Sequence, residues 1–148
     1  MSMEDPKKLL ARLQRLCVRR ECCSADILKK ALVAFEGDEV QARAALEALV
    51  ADRFVDDARY AAAFAREKSS LAGWGAVKIR HALLMKKIPR EAVDSALAEI
   101  DAGAAEEKLR RLLDSKAKTL EGDPRKRLKL LRFALSRGYE WDDIEKIV

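Results

Sequence analysis

The sequence predicts an all-α protein built from three tandem three-helix repeats. Three observations carry that reading. Apolar residues make up 49% of the 148 positions, aromatics only 5%, and six glycines and three prolines leave most of the chain uninterrupted. That combination suits helices better than sheets. Charged residues reach 37%, as in helices with long solvated faces. The chain also repeats itself at a period of about fifty residues, the mark of one supersecondary unit used several times. Lys78 to Pro89 aligns without a gap on Lys129 to Glu140: Ile79 falls on Leu130, Leu84 on Leu135, Lys86 on Arg137 and Ile88 on Tyr139. Further on, Val93 falls on Ile144, Ala96 on Ile147 and Leu97 on Val148. Units stacked in a row make an extended surface, and such surfaces bind macromolecules.

The first helix starts at Asp5-Pro6, an N-cap followed by proline in the first turn. Leu9, Leu10, Leu13, Leu16 and Cys17 follow at helical spacing. Ser24 reads as the cap of a second helix that buries Ile27, Leu28, Ala31, Leu32 and Phe35. Gly37-Asp38 ends it and starts a third, with Val40, Ala44, Leu46 and Leu49. Phe54-Val55 before Asp56-Asp57 is an apolar staple ahead of an acidic cap. The fourth helix then carries Tyr60, Ala61, Phe64 and Leu71.

Gly73-Trp74-Gly75 breaks the chain before a fifth helix with Val77, Ile79, Leu83 and Leu84. Pro89 opens a sixth with Val93, Ala96, Leu97 and Ile100. After Ala102-Gly103-Ala104 the seventh holds Leu109, Leu112, Leu113 and Ala117, and Glu121-Gly122-Asp123-Pro124 is a turn and a new cap. The eighth holds Leu128, Leu131 and Leu135; the ninth holds Trp141, Ile144, Ile147 and Val148. Grouped in threes, these give units over 1–55, 56–101 and 102–148. The joints are short, so the units should touch. The Phe35-Glu36-Gly37-Asp38 connection lacks the basic-then-apolar joint of the later copies, and a terminal repeat is often atypical.

The net charge of +5 is unevenly spread. Residues 1–56 balance ten basic against ten acidic side chains. Residues 66–90 carry seven basic groups and one acid, and 108–137 carry eleven against three. An anionic partner is therefore expected at the middle and C-terminal units, with nucleic acid the first candidate. No apolar run approaches the roughly twenty residues that span a membrane. Lys7, Lys8, Arg12 and Arg15 interrupt any signal-peptide core. The expectation is a soluble, cytoplasmic protein. Cys17, Cys22 and Cys23 read as small apolar residues, because a zinc site needs four ligands and His81, the single histidine, is far away in sequence.

No catalytic constellation emerges. One histidine finds no obvious nucleophile and no glycine-rich phosphate loop occurs, so no enzyme activity, cofactor, metal or small-molecule ligand is expected. Asp56-Asp57 could be paired carboxylates for acid–base work, but a helix cap explains them, as it explains Asp142-Asp143. Trp74 reads as a filler between repeats, with stacking on a base or a partner as its alternative. Tyr139 and Trp141 read as core residues.

The eighth helix is the strongest binding candidate. At 100° per residue, Arg125, Lys129, Arg132 and Ser136 lie within about 60° of one another. Arg125 to Arg137 also holds Lys126 and Arg127, six basic residues and no acid. A solvated face usually mixes signs, so this stripe is suited to phosphates or an acidic protein surface. Lys78, Arg80, Lys86 and Lys87 form a second basic segment, but not one stripe.

These residues also resemble a known family. Phe54-Val55-Asp56-Asp57-Ala58-Arg59-Tyr60-Ala61, then Phe64, Gly73-Trp74-Gly75, Lys78-Ile79-Arg80, Leu83 and Lys86-Lys87-Ile88 look like the central signature of the RecX regulatory proteins. Phe133-Ala134-Leu135-Ser136-Arg137-Gly138-Tyr139, with Asp143-Ile144, is similar to its C-terminal signature, and Ser24 with Leu28 and Leu32 to its first-repeat pattern. The likeness spans nearly the whole chain. It implies an elongated, curved array of three three-helix repeats. It also implies a non-enzymatic regulator that binds the RecA recombinase filament on single-stranded DNA. Such a protein modulates, mainly inhibits, RecA's ATPase, strand exchange and promotion of repressor self-cleavage. The family has glycine where this chain has Lys87, so the helix end there lacks the residue that turns left-handed cheaply.

Two other readings compete. A stand-alone DNA-binding protein would set the third helix of a unit in a major groove. Here the third helices are poor in cations: Arg43 alone in one, Arg90 against Glu91, Asp94 and Glu99 in another, Lys146 against four acids in the last. A helical adaptor for acidic proteins would need no DNA at all.

Overall fold

The computed structural model describes residues 4–148. Among them stand nine helices and no strand: α1 (Pro6–Arg19), α2 (Ser24–Ala34), α3 (Glu39–Ala51), α4 (Asp57–Ser70), α5 (Ala76–Met85), α6 (Arg90–Ala98), α7 (Ala102–Lys118), α8 (Lys126–Ser136) and α9 (Trp141–Glu145). Four aspartates start helices, three where the sequence predicts them; the fourth, Asp101, makes the expected break at Ala102-Gly103-Ala104 the first turn of α7 instead. Asp5 accepts from Lys7 N, Asp38 from Gln41 N, Asp56 from Arg59 N and Asp101 from Gly103 N. Each satisfies an amide that would otherwise lack a partner in the first turn. None of the described helices is long and apolar enough to cross a membrane.

The helices enclose three successive cores. Leu9, Leu13, Ile27, Ala31, Phe35 and Leu49 centre the first; Ala61, Ala65, Ile79, Leu83 and Val93 the second; Leu109, Leu113, Leu130, Leu131, Ala134 and Ile144 the third. The adjacent Cys22 and Cys23 face different cores, the first and second. Burial pushes the Cys17 thiol up to about 12, with the neighbouring Cys22 adding to the effect. A thiol so disposed is a small apolar filler rather than a nucleophile.

Several apolar residues expected in the cores are solvent-exposed instead: Val40, Ala44, Leu71, Val77, Leu84, Leu128, Leu135 and Trp141. A helix in a three-helix unit buries a narrow stripe. In α3 that stripe is Ala42, Ala45, Leu46 and Leu49, and in α8 it is Leu130, Leu131 and Ala134. Residues just off it stay in water. Trp141 lies outside the third core, its indole N–H donating to Glu145.

The connection from second to third helix is the same in all three units, although the first unit's sequence differs there. The amide of Gly37 closes onto Leu32 O, that of Ile88 onto Leu83 O and that of Tyr139 onto Ala134 O. The residue before each, Glu36, Lys87 or Gly138, turns left-handed with φ of 52°, 60° and 90°. This is the Schellman ending. Asp38, Pro89 or Glu140 then stands at the N-cap position of the next helix, and of the three only Asp38 bonds the first turn with its side chain. The family resemblance leads one to expect trouble at Lys87, and the chain adopts the left-handed turn there regardless.

Adjacent units are joined in two different ways. At the first joint the contacts are side chains. Ser24 opens α2 without a side-chain cap of its own, and its amide donates to Asp57 Oδ1 at 2.8 Å. Asp56 and Asp57, alike in sequence, thus cap two different helices. Arg59 pairs with Glu21 at 2.6 Å and Lys86 with Asp26 at 2.9 Å. At the second joint the contacts are backbone. Gly75 N donates to Arg137 O at 2.7 Å and Val77 N to Gly138 O at 3.0 Å. A methyl group on Gly75 would strike the Gly138 carbonyl, and one on Gly138 would strike Lys78. Gly75 has an ordinary φ of −81°, so it is needed for space. Tyr139 adds a buried hydroxyl bond to Gly73 O at 3.1 Å.

Candidate binding surface

The basic run of the third unit is anchored by one acid. Asp123 Oδ1 accepts from Arg125 N at 2.8 Å, and its other oxygen takes the Lys129 ammonium. Lys129 and the Arg125 amide together hold the Asp123 carboxyl below its usual range. Arg125 is therefore the residue before the helix, with φ −103° and ψ 21°, and the expected helical stripe does not begin until Lys126. Lys129 is committed to Asp123. Arg127 stands 4.0 Å from Glu145. The side chains of Arg125, Lys126 and Arg132 are exposed and without an acidic partner among the described residues.

Arg125, Lys126 and Arg127 crowd the N-terminal end of α8, and no acid sits in its first turn. The helix dipole makes that end positive, so cations there are disfavoured by about 0.3–1 kcal/mol each. Asp123 at this end offsets only part of that cost, and a sequence that breaks a local rule does so most often at a functional site. An anion bound at this end would relieve the repulsion.

The second basic segment is spent on structure. Lys86 closes the first joint through Asp26. Arg80 bonds Asp94 at 2.7 Å. The Lys78 ammonium lies over the Trp74 ring at 4.4 Å, and Arg137 lies over Phe133 at 5.1 Å. Only Lys87 of this segment is exposed and unpaired among the described residues. Trp74 is half-buried against the second core, edge-on to Phe64 with centroids 6.1 Å apart, and Phe64 stacks on Tyr60. It is a packed residue with cations on its ring. Phe54 joins the first core, and Gly73 lies against Leu112 of α7. The signature residues Phe54, Asp56, Asp57, Tyr60, Phe64, Gly73, Trp74, Gly75, Gly138 and Tyr139 therefore build cores, caps and joints.

A cleft of about 380 Å³ between the second and third units is lined by Trp74, Leu97, Ile100, Leu109 and Tyr139. Glu106, Glu140 and Asp143 border it, with Lys146 the single cation. Its acidity makes it a poor receptor for phosphate. Sequence reasoning missed the acids that matter most: Glu21, Asp26 and Asp123. Nothing in their spacing marks Glu21 or Asp26 as partners of residues two helices away. Asp123, two residues before Arg125-Lys126-Arg127 and six before Lys129, is an acid at the head of a basic run, and sequence alone could have paired it with Lys129.

Comparison with known proteins agrees with this geometry. The profile of the RecX second three-helix domain matches residues 56–97, and that of the third three-helix domain matches 104–148. The regulatory protein RecX of Shigella dysenteriae serotype 1 (strain Sd197) is 30% identical over 152 residues, covering 95% of this chain and 89% of that protein. The chain belongs to the RecX family. The RecX protein of Clostridium botulinum (strain Eklund 17B / Type B) is 32% identical over 115 residues, 75% of this chain but 53% of that protein. The chain thus spans about half the length of that relative. A crystal structure of regulatory protein RecX superposes with a TM-score of 0.85 at 23% identity, over 96% of this chain and 70% of that one. At that identity the match speaks for the RecX fold, tandem three-helix repeats.

Proposed function

We propose that this protein binds the RecA recombinase filament on single-stranded DNA and lowers its activity: ATP hydrolysis, strand exchange and promotion of repressor self-cleavage. Membership of a family of regulatory proteins supports the reading, and the unpaired cations of the third unit, Arg125 and Lys126 at the head of α8 and Arg132 within it, carry it. These cations meet the filament's anionic face, either DNA phosphate or acidic protein surface. The protein acts by binding, with no chemistry of its own. The stand-alone DNA-binding alternative fits less well. A groove-reading third helix in the last unit would be α9, which has five residues and opens on Asp142 and Asp143.

The test is RecA's single-stranded-DNA-dependent ATP hydrolysis against increasing amounts of this protein, with DNA in excess so that competition for DNA cannot mimic inhibition. The expected result is a fall in rate well below equimolar protein, and its loss on charge reversal at the unpaired Arg125, Lys126 and Arg132. No effect at equal or greater amounts would overturn the reading.

A further inference from the structure

The ending shared by α2, α5 and α8 puts their side chains in one register. The residue just after each closing carbonyl is Val33, Leu84 or Leu135, and all three are solvent-exposed, at 81%, 40% and 43%. Three positions earlier stand Lys30, His81 and Arg132, also exposed. None of these three basic side chains has an acidic partner among the described residues. Positions i and i+3 share a helix face. Each unit therefore presents one nitrogen-bearing side chain, a cation in the first and third units and an imidazole in the second, beside one aliphatic side chain at the same place.

A single exposed aliphatic residue on a helix means little. Recurrence at one register in three units of different sequence is another matter. Val33 gains neither burial nor helix propensity where it stands. In the second and third units the face is extended by Val77 and Leu128, also exposed. The matching place in the first unit is Asp26, which is used to hold Lys86.

We infer that this basic–aliphatic ladder on the second helices is a docking surface for protein, not nucleic acid: an acidic surface with apolar recesses, repeated along a polymer. The Lys30 and Arg132 cations call for carboxylates, and the His81 imidazole can donate a hydrogen bond to one. The aliphatic groups call for apolar recesses, which a phosphate backbone lacks. Three copies in a row call for a partner that repeats too. The inference rests on the filament reading above and assigns the ladder to the filament's protein.

The experiment compares the wild type with a triple variant, Val33→Ser, Leu84→Ser and Leu135→Ser, whose exposed sites leave the cores intact. Binding is titrated against RecA filaments on single-stranded DNA and against the same DNA bare, at one salt concentration. The expected result is at least a tenfold loss of filament affinity with bare-DNA affinity unchanged within about twofold, each lost aliphatic contact being worth a factor of several. Unchanged filament affinity overturns the ladder alone. A parallel loss on bare DNA also overturns it and turns these side chains toward nucleic acid. A wild type that binds no filament overturns both the ladder and the function beneath it.

Discussion

At the scale of single residues, the chain carries uncompensated cost at its helix ends. Glu36, Arg53 and Lys87 all turn left-handed, where an L-residue with a Cβ is disfavoured by about 1–2 kcal/mol. Glycine removes that cost but gives back part of it through a freer unfolded chain. Lys87→Gly should therefore stabilise by about 0.5–1 kcal/mol net, and raise the melting temperature at roughly 2–4 °C per kcal/mol. Thermal unfolding followed by circular dichroism checks it; an unchanged or lower midpoint would show that Lys87 makes a compensating contact. The sequence made this position legible, because a basic residue stands where its repeat partner is Gly138. It could not separate Ile79 from Leu84, or Leu130 from Leu135. Both members of each pair are aliphatic, and only the angle at which neighbouring helices meet decides which one is buried.

At the scale of elements, the first joint depends on ionised groups. Burial works against the Asp26 carboxylate, but Lys86 and Cys23, both hydrogen-bonded to it, hold its carboxyl below the usual 3.8. The Lys86 ammonium is correspondingly raised by Asp26. A depressed carboxyl stabilises above its unfolded value, and that stability is lost as pH falls through the folded one. A raised ammonium stabilises below its unfolded value and fails only far into the alkaline range. The joint should thus be tight through neutral pH and loosen as pH drops below about 4. Hydrogen exchange tracks this at the Ser24 amide, which donates to Asp57. Exchange corrected for its intrinsic pH dependence should quicken there in acid, while the Gly75 amide, bonded to Arg137 O, stays protected. Equal behaviour at the two amides would refute the contrast. Most helices were legible because aspartate caps and glycine breaks are local signals, although Gly103, read as a break, lies in the first turn of α7. Which helix Asp57 caps was not, since that depends on how two units meet.

For the whole molecule, charge governs how it meets a partner. The cations of α8 sit on one unit, while the acids of α9 and of the cleft border the same unit. Bare single-stranded DNA should therefore bind weakly and lose affinity steeply with salt, at a slope of about 0.7 per phosphate contacted. The filament should bind more tightly, with a shallower salt dependence, because apolar contact is not screened. Fluorescence titrations across a salt series decide it; parallel slopes would mean that DNA alone is being read. Composition led to the expectation of an anionic partner. It overstated the number of cations on offer, because Lys78, Arg80, Lys86 and Lys129 find partners within the fold.

The two joints also differ in what they transmit under load. Between the first and second units the polar ties run through side chains, which water and salt can compete away one at a time, leaving the small apolar Cys23 and Ala25 in the second core. Between the second and third, peptide groups meet through two glycines with no room for anything between them. If the molecule were drawn out along its length, the first joint would yield before the second, and the second and third units would hold together until their cores gave way. A protein strung across a moving polymer would then have a natural breaking point, with the cation-rich half staying attached as a single rigid grip.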